Sequence, residues 1–127
     1  MKLPVKNILL VSLLGLFASL ASAADLAGKW KADIETPRGV QKYEFTFTAT
    51  GDQVTGTAHV ETAQRTRDTE LTDVKVTGDT VTFAEVLNFQ GNEFRITYSG
   101  KIGAKEIAFH RQMGDFGSAH FTATRVE

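Results

Sequence analysis

The 127-residue sequence predicts an all-β fold: an eight-stranded antiparallel up-and-down barrel that follows an N-terminal signal peptide. Three observations carry the prediction. From Leu26 onward, β-branched and aromatic residues alternate with charged or threonine positions at a period of two, with no helical i, i+3, i+4, i+7 stripe of useful length. Turn-forming Gly, Asp and Asn recur between these runs. Every connection is short, so consecutive strands can only be antiparallel neighbours, because a parallel crossover takes about a dozen residues or more.

The leader comes first. Residues 1–23 place Lys2 and Lys6 in a positive n-region, a mostly apolar stretch from Ile8 to Leu20, and the small residues Ala21-Ser22-Ala23 before a cleavage point after Ala23. The apolar run is about 13 residues against the roughly 20 that a membrane span needs, so a secreted or periplasmic protein with no membrane anchoring after cleavage is expected. Removing 23 residues from 127 leaves a domain of residues 24–127, and the loss of two lysines moves the net charge from −1 to −3.

Strands are expected at about residues 27–35, 40–48, 54–62, 69–76, 80–88, 93–101, 106–112 and 119–126. The turns between them are Pro37-Arg38-Gly39, Gly51-Asp52, the polar stretch Thr62 to Asp68, Gly78-Asp79, Gly91-Asn92, Gly103-Ala104 and Gly114 to Gly117. Closing the meander removes both bare edges, which favours a barrel over an open sheet. Alternation then assigns the inner face. It receives Trp30, Ala32 and Ile34, then Tyr43, Phe45 and Phe47, then Val54, Gly56, Ala58 and Val60. Later strands add Val81, Phe83, Glu85 and Leu87, then Phe94, Ile96 and Tyr98, then Ile107, Phe109 and Arg111, and last Phe121, Ala123 and Arg125. The fourth strand has no clear parity.

Composition narrows the chemistry. Without cysteine there is no disulfide framework, no Cys-based metal site and no thiol nucleophile, so the core alone must hold the domain. Fourteen basic against fifteen acidic residues argues against a nucleic-acid partner, whose phosphates call for a basic surface.

Gly28-Lys29-Trp30 at the start of the first strand, with Arg125 in the last, resembles the signature of the lipocalin and calycin superfamily. In that family a Gly-x-Trp opens the barrel and a basic side chain from the final strand lies over the indole at the closed end. The contact makes physical sense, since a guanidinium over a Trp face is a cation–π pair that also covers the barrel floor. The chain departs from the family in lacking a Thr-Asp-Tyr-type motif between its sixth and seventh strands, a cysteine pair and a helix after the last strand. It thus resembles an abbreviated bacterial form, for which small-molecule binding is implied more often than catalysis.

Candidate site residues follow from parity. Glu85 and Arg111 are charged yet assigned to the inner face, where each needs a partner: the other, water, or the polar head of a ligand. They are the candidate catalytic residues if the protein is an enzyme, since burial of a poorly paired Glu85 would raise its pKa toward general acid–base use. Tyr43 and Tyr98 also point inward and extend the polar group. At the rim, Phe89, Met113 and Phe116 have no strand face to hide on and stand next to Arg38, Arg65, Arg67, Asn88 and Gln90, the composition of a ligand mouth. The two rim phenylalanines either gate that mouth or fold down to plug it. Glu61 to Asp68, which includes Arg65 and Arg67, reads as a solvated loop or a surface for an acidic sugar or carboxylate.

His110 and His120 are expected as an exposed cross-strand pair, with His59 apart from them, so no metal site is expected. Neither a Ser-His-Asp set, a Gly-x-Ser-x-Gly elbow nor a phosphate loop is present, and no cofactor is expected. The leading functional expectation is a binding protein for a small apolar or amphiphilic molecule, through Tyr43, Glu85, Tyr98, Arg111, Phe89, Met113 and Phe116. Two alternatives stand beside it: a small hydrolase or lyase using Glu85 as acid or base and Arg111 for an anionic group, and an accessory module of a secreted carbohydrate-active or esterase system with a filled barrel. Nine inward aromatic positions favour filling. The oligomeric state is left open.

Overall fold

A computed structural model describes residues 23–126. The expected leader, apart from Ala23, lies outside the described residues. A short helix α1 (Ala23–Leu26) leads into β1 (Gly28–Thr36), β2 (Gly39–Thr50), β3 (Gln53–Glu61), β4 (Thr66–Thr77), β5 (Thr80–Phe89), β6 (Asn92–Ile102), β7 (Glu106–Gln112) and β8 (Ser118–Arg125), with a 3₁₀ turn at Gly114–Phe116 before β8. Each strand pairs antiparallel with the next and β8 returns to β1, closing an up-and-down barrel in the order β1-β2-β3-β4-β5-β6-β7-β8. Among the described residues the closing seam rests on Trp30↔Arg125 and Lys31↔Thr124, with a further hydrogen bond from Val126 N to Lys29 O of 2.9 Å.

Period-two patterning sets the wall. In β1 buried and exposed side chains alternate without a break through Trp30, Ala32 and Ile34, and β2 continues the same face with Tyr43, Phe45 and Phe47. The β5–β6 hairpin turns on Gln90 and Gly91, both at positive φ (52° and 79°), the geometry that matches a two-residue link to the right-handed twist of its strands.

The fourth strand had no clear parity because it contains a bulge. Its pairing with β5 shifts between Thr72 and Lys75, and Asp73 sits in the left-handed region at φ 53°. Above the bulge Arg67, Thr69 and Leu71 are the more buried set; below it Val74 and Val76 are. One extra residue moves the inner face from odd to even numbers.

The barrel is filled. Phe45 lies within 5.3–6.5 Å, centroid to centroid, of Tyr43, Phe47, Phe83, Tyr98, Phe109 and Phe121, mostly in the offset or tilted arrangements that aromatic pairs favour. Gly56 and Gly100 make room for these rings: a Cβ on Gly100 would stand 2.5 Å from Cε1 of Phe109, and one on Gly56 would stand 2.9 Å from Cδ1 of Phe47. At the floor, Trp30 donates from Nε1 to Leu26 O at 2.9 Å. The Arg125 guanidinium lies 4.2 Å from the indole centroid and donates to Ala27 O, Ala104 O and Asp25 O. Phe94 departs from expectation: it keeps the inner-face register opposite Leu87, but it stands above the packed layers and is 38% exposed.

Candidate functional site

The aromatic packing ends at a polar layer. Glu85 on β5 is fully buried, and both its oxygens are engaged. Oε1 accepts from the Tyr43 hydroxyl at 3.0 Å and from the Tyr98 hydroxyl at 2.9 Å, while Oε2 accepts from Arg67 Nη2 at 3.0 Å. Two neighbouring strands, β4 and β6, and one across the interior, β2, deliver these groups. Tyr43 and Tyr98 come from β2 and β6, and Arg67 from the upper, odd-numbered half of β4, whose register places Leu71 opposite Glu85.

One open alternative is decided here and one expectation is corrected. The ion-pair partner of Glu85 is Arg67, not Arg111. The stretch Glu61 to Asp68 is not one solvated loop either. Its turn ends at Arg65, held by hydrogen bonds from Thr62 N and Oγ1 to Arg65 O, and β4 begins at Thr66. That registers Arg67 opposite Val60 on the inner face, with its side chain 22% exposed. The signal was present in the alternation Arg67, Thr69, Leu71, but the polar setting concealed it.

Arg111 lies beside this network with 2% exposure. Its guanidinium carbon is 5.5 Å from the Tyr43 ring centroid and 5.6 Å from that of Tyr98, and Nη2 reaches the Tyr43 hydroxyl at 3.4 Å. Arg67 Nη2 donates to the same hydroxyl at 2.9 Å. Among the described residues, Arg111 Nε, Arg111 Nη1 and Arg67 Nε are buried donors without a hydrogen-bond partner, and Gln41 Oε1 is a buried acceptor without one. Such groups carry a desolvation cost until something meets them.

The setting also acts on the tyrosines. Burial, with the Glu85 charge second, raises the Tyr43 pKa above its ordinary value. Burial followed by the neighbouring Tyr43 and Glu85 raises Tyr98 well above its own. Both phenols remain neutral donors through the physiological range.

Above the polar layer an open cavity of about 1070 Å³ takes in the barrel mouth and extends along β4 and β5, where Asp68, Glu70, Thr72 and Val86 also line it. Arg67, Arg111 and Gln41 line its polar side, and Leu87, Phe94 and Met113 its apolar side. Phe89 and Phe116 line it as well, but are 47% and 75% exposed, so they stand at the entrance and do not fold down as a plug. Phe116 is held by the 3₁₀ turn with its ring centroid 5.8 Å from that of Phe94. The structure thus brings Tyr43, Glu85, Tyr98 and Arg111 into one cluster, with Met113, Phe89 and Phe116 around the opening above it. Sequence reasoning missed Gln41 and the inward role of Arg67.

The histidines lie elsewhere. His110 and His120 face each other across the β7–β8 pair with ring centroids 4.7 Å apart. His59 is partly exposed, and its Nδ1 is 2.6 Å from Asp68 Oδ1. Among the described residues no group of three or more His, Asp or Glu side chains is placed to hold a metal. Compared with protein-family models, curated proteins and solved structures, the chain finds no match in any of the three.

Proposed function

We infer that this chain is an exported, lipocalin-like binding protein that holds a small amphiphilic molecule in the mouth of its barrel. The observation that carries this reading is the stacking of two layers. An open cavity walled by Leu87, Phe94 and Met113 lies directly on a floor of buried hydrogen-bonding groups. Ligand sites combine these features, with apolar walls for affinity and a few fixed polar groups for orientation. The ligand sits above the aromatic layers, because Phe45, Phe83 and Phe109 leave it no room lower down. Export rests on the leader sequence, and the lipocalin-like assignment on Gly28-Lys29-Trp30 with Arg125 stacked over the indole.

Binding is favoured over turnover by the state of Glu85. Both its oxygens are held by Arg67 and two tyrosines, and Glu85 is fully buried and not among the residues lining the cavity, so its carboxylate organises the floor and does not face a bound molecule. The neutral probe N-phenyl-1-naphthylamine tests the cavity. Saturable one-site fluorescence enhancement, weakened by Met113→Glu, is the expected result. Enhancement that is absent, or indifferent to Met113→Glu, contradicts the reading.

A further inference from the structure

The geometry points to a specific class of ligand: an amphiphile with a single anionic head, a carboxylate, seated against Arg111 with its apolar chain along Phe94 and Met113. This rests on the binding reading above and adds the head group to it.

Charge and hydrogen-bond accounting carry the inference. The floor holds two guanidiniums, Arg67 and Arg111, both within hydrogen-bond reach of the Tyr43 hydroxyl, and one carboxylate, Glu85. That carboxylate is committed to Arg67. One positive charge is left over, and it belongs to Arg111, which is 2% exposed with Nε and Nη1 unpartnered. The Tyr43 and Tyr98 rings and the Tyr43 hydroxyl offset part of the cost of burying this cation, but no carboxylate is paired with it, and an anion would complete the arrangement. A monoanion matches the surplus of one; a dianion exceeds it.

Donors also outnumber acceptors at the floor. Arg111 Nε, Arg111 Nη1 and Arg67 Nε lack acceptors, against the single unpartnered acceptor Gln41 Oε1. A head group rich in acceptor oxygens fits this set, and adjacent guanidinium N–H groups suit the two oxygens of a carboxylate. An ammonium head brings no acceptor and adds a further positive charge. The whole cavity keeps a positive balance: Arg38, Arg65, Arg67 and Arg111 line it against two carboxylates, Glu70 and Asp68, and Asp68 is engaged with His59.

The test compares three ten-carbon amphiphiles, decanoate, decan-1-ol and decyltrimethylammonium, by isothermal titration calorimetry on the purified protein. Decanoate is expected to bind at one site, about 10- to 100-fold more tightly than decan-1-ol, as charge-assisted hydrogen bonds require. Decyltrimethylammonium is expected to bind more weakly than the alcohol. Arg111→Met should remove the preference for decanoate over decan-1-ol, because the charge-assisted head contact is lost. Arg111→Lys, which keeps the charge and loses the fork, should retain part of the preference and provides a folded comparison if Arg111→Met is unstable.

Equal affinity for acid and alcohol overturns the head-group assignment and leaves the cavity reading intact. So does a decanoate preference that survives both Arg111 variants. If N-phenyl-1-naphthylamine binds but none of the three amphiphiles does, the head-group assignment also fails. If neither the probe nor any amphiphile binds, both readings fall together.

Discussion

Glu85 on β5 is bound to Arg67 on β4 at 3.0 Å inside the barrel, and this ion pair, not one between Glu85 and Arg111, organises the polar floor of the cavity. The consequence is a division of labour between two arginines. Arg67 neutralises the carboxylate, and Arg111 is left with donors that no protein group meets.

A double-mutant cycle separates the two roles. The coupling between Arg67→Met and Glu85→Gln should be about 2 kcal/mol in urea unfolding, as for a hydrogen-bonded charge pair, with that between Arg111→Met and Glu85→Gln below about 1 kcal/mol. The reverse order would make Arg111 the true partner.

Alkaline titration reads the floor without mutation. Tyr43 and Tyr98 are the only tyrosines in the chain, and both have pKa values raised above the ordinary 10.0. Above about pH 10 the unfolded chain gives up tyrosine protons that the folded chain still holds, so stability is full below that pH and falls as pH rises toward the folded values. Tyrosinate absorbance should therefore appear only together with loss of near-ultraviolet circular dichroism. Ionisation of either phenol near pH 10 in the folded protein contradicts the buried placement.

The closed end depends on Trp30. Truncation to alanine removes a fully buried indole and the surface on which Arg125 lies, and should cost about 3 to 5 kcal/mol of unfolding free energy. Arg125→Met should cost less, about 1 kcal/mol, since it keeps most of the cover and loses the cation–π pair and hydrogen bonds. A near-neutral Trp30→Ala is incompatible with this floor.

Gly100 tests the filling of the barrel. Gly100→Ala sets a methyl group 2.5 Å from Phe109 and should cost about 1 to 3 kcal/mol through overpacking. A stabilising or neutral alanine would mean that slack exists beside Phe109 and that the interior is looser than described.

The barrel was legible because its signal is local and repeated. Alternation in Trp30-Ala32-Ile34 or Tyr43-Phe45-Phe47 is a direct print of a wall with one wet and one dry face, and parity alone brought Glu85, Arg111 and both tyrosines inside. Two features escaped for physical reasons. The bulge at Asp73 reverses parity within β4, so no single register describes that strand. Arg67 follows a polar turn and is itself a charged residue, so nothing in its neighbourhood announces an inner face; its role emerges only when the barrel sets β4 beside β5. The unpartnered donors of Arg111 are likewise a property of three-dimensional accounting.

The most direct measurement of the central claim is the side-chain Nε–Hε resonance of Arg111, assigned by its loss in Arg111→Lys and followed by ¹⁵N-edited NMR as decanoate is added. The account predicts a saturable downfield shift of that resonance and slower exchange with water, with the Arg125 resonance at the opposite end of the barrel unmoved. An Arg111 resonance that stays in place while decanoate binds elsewhere, or a shift confined to the outer wall, would contradict it.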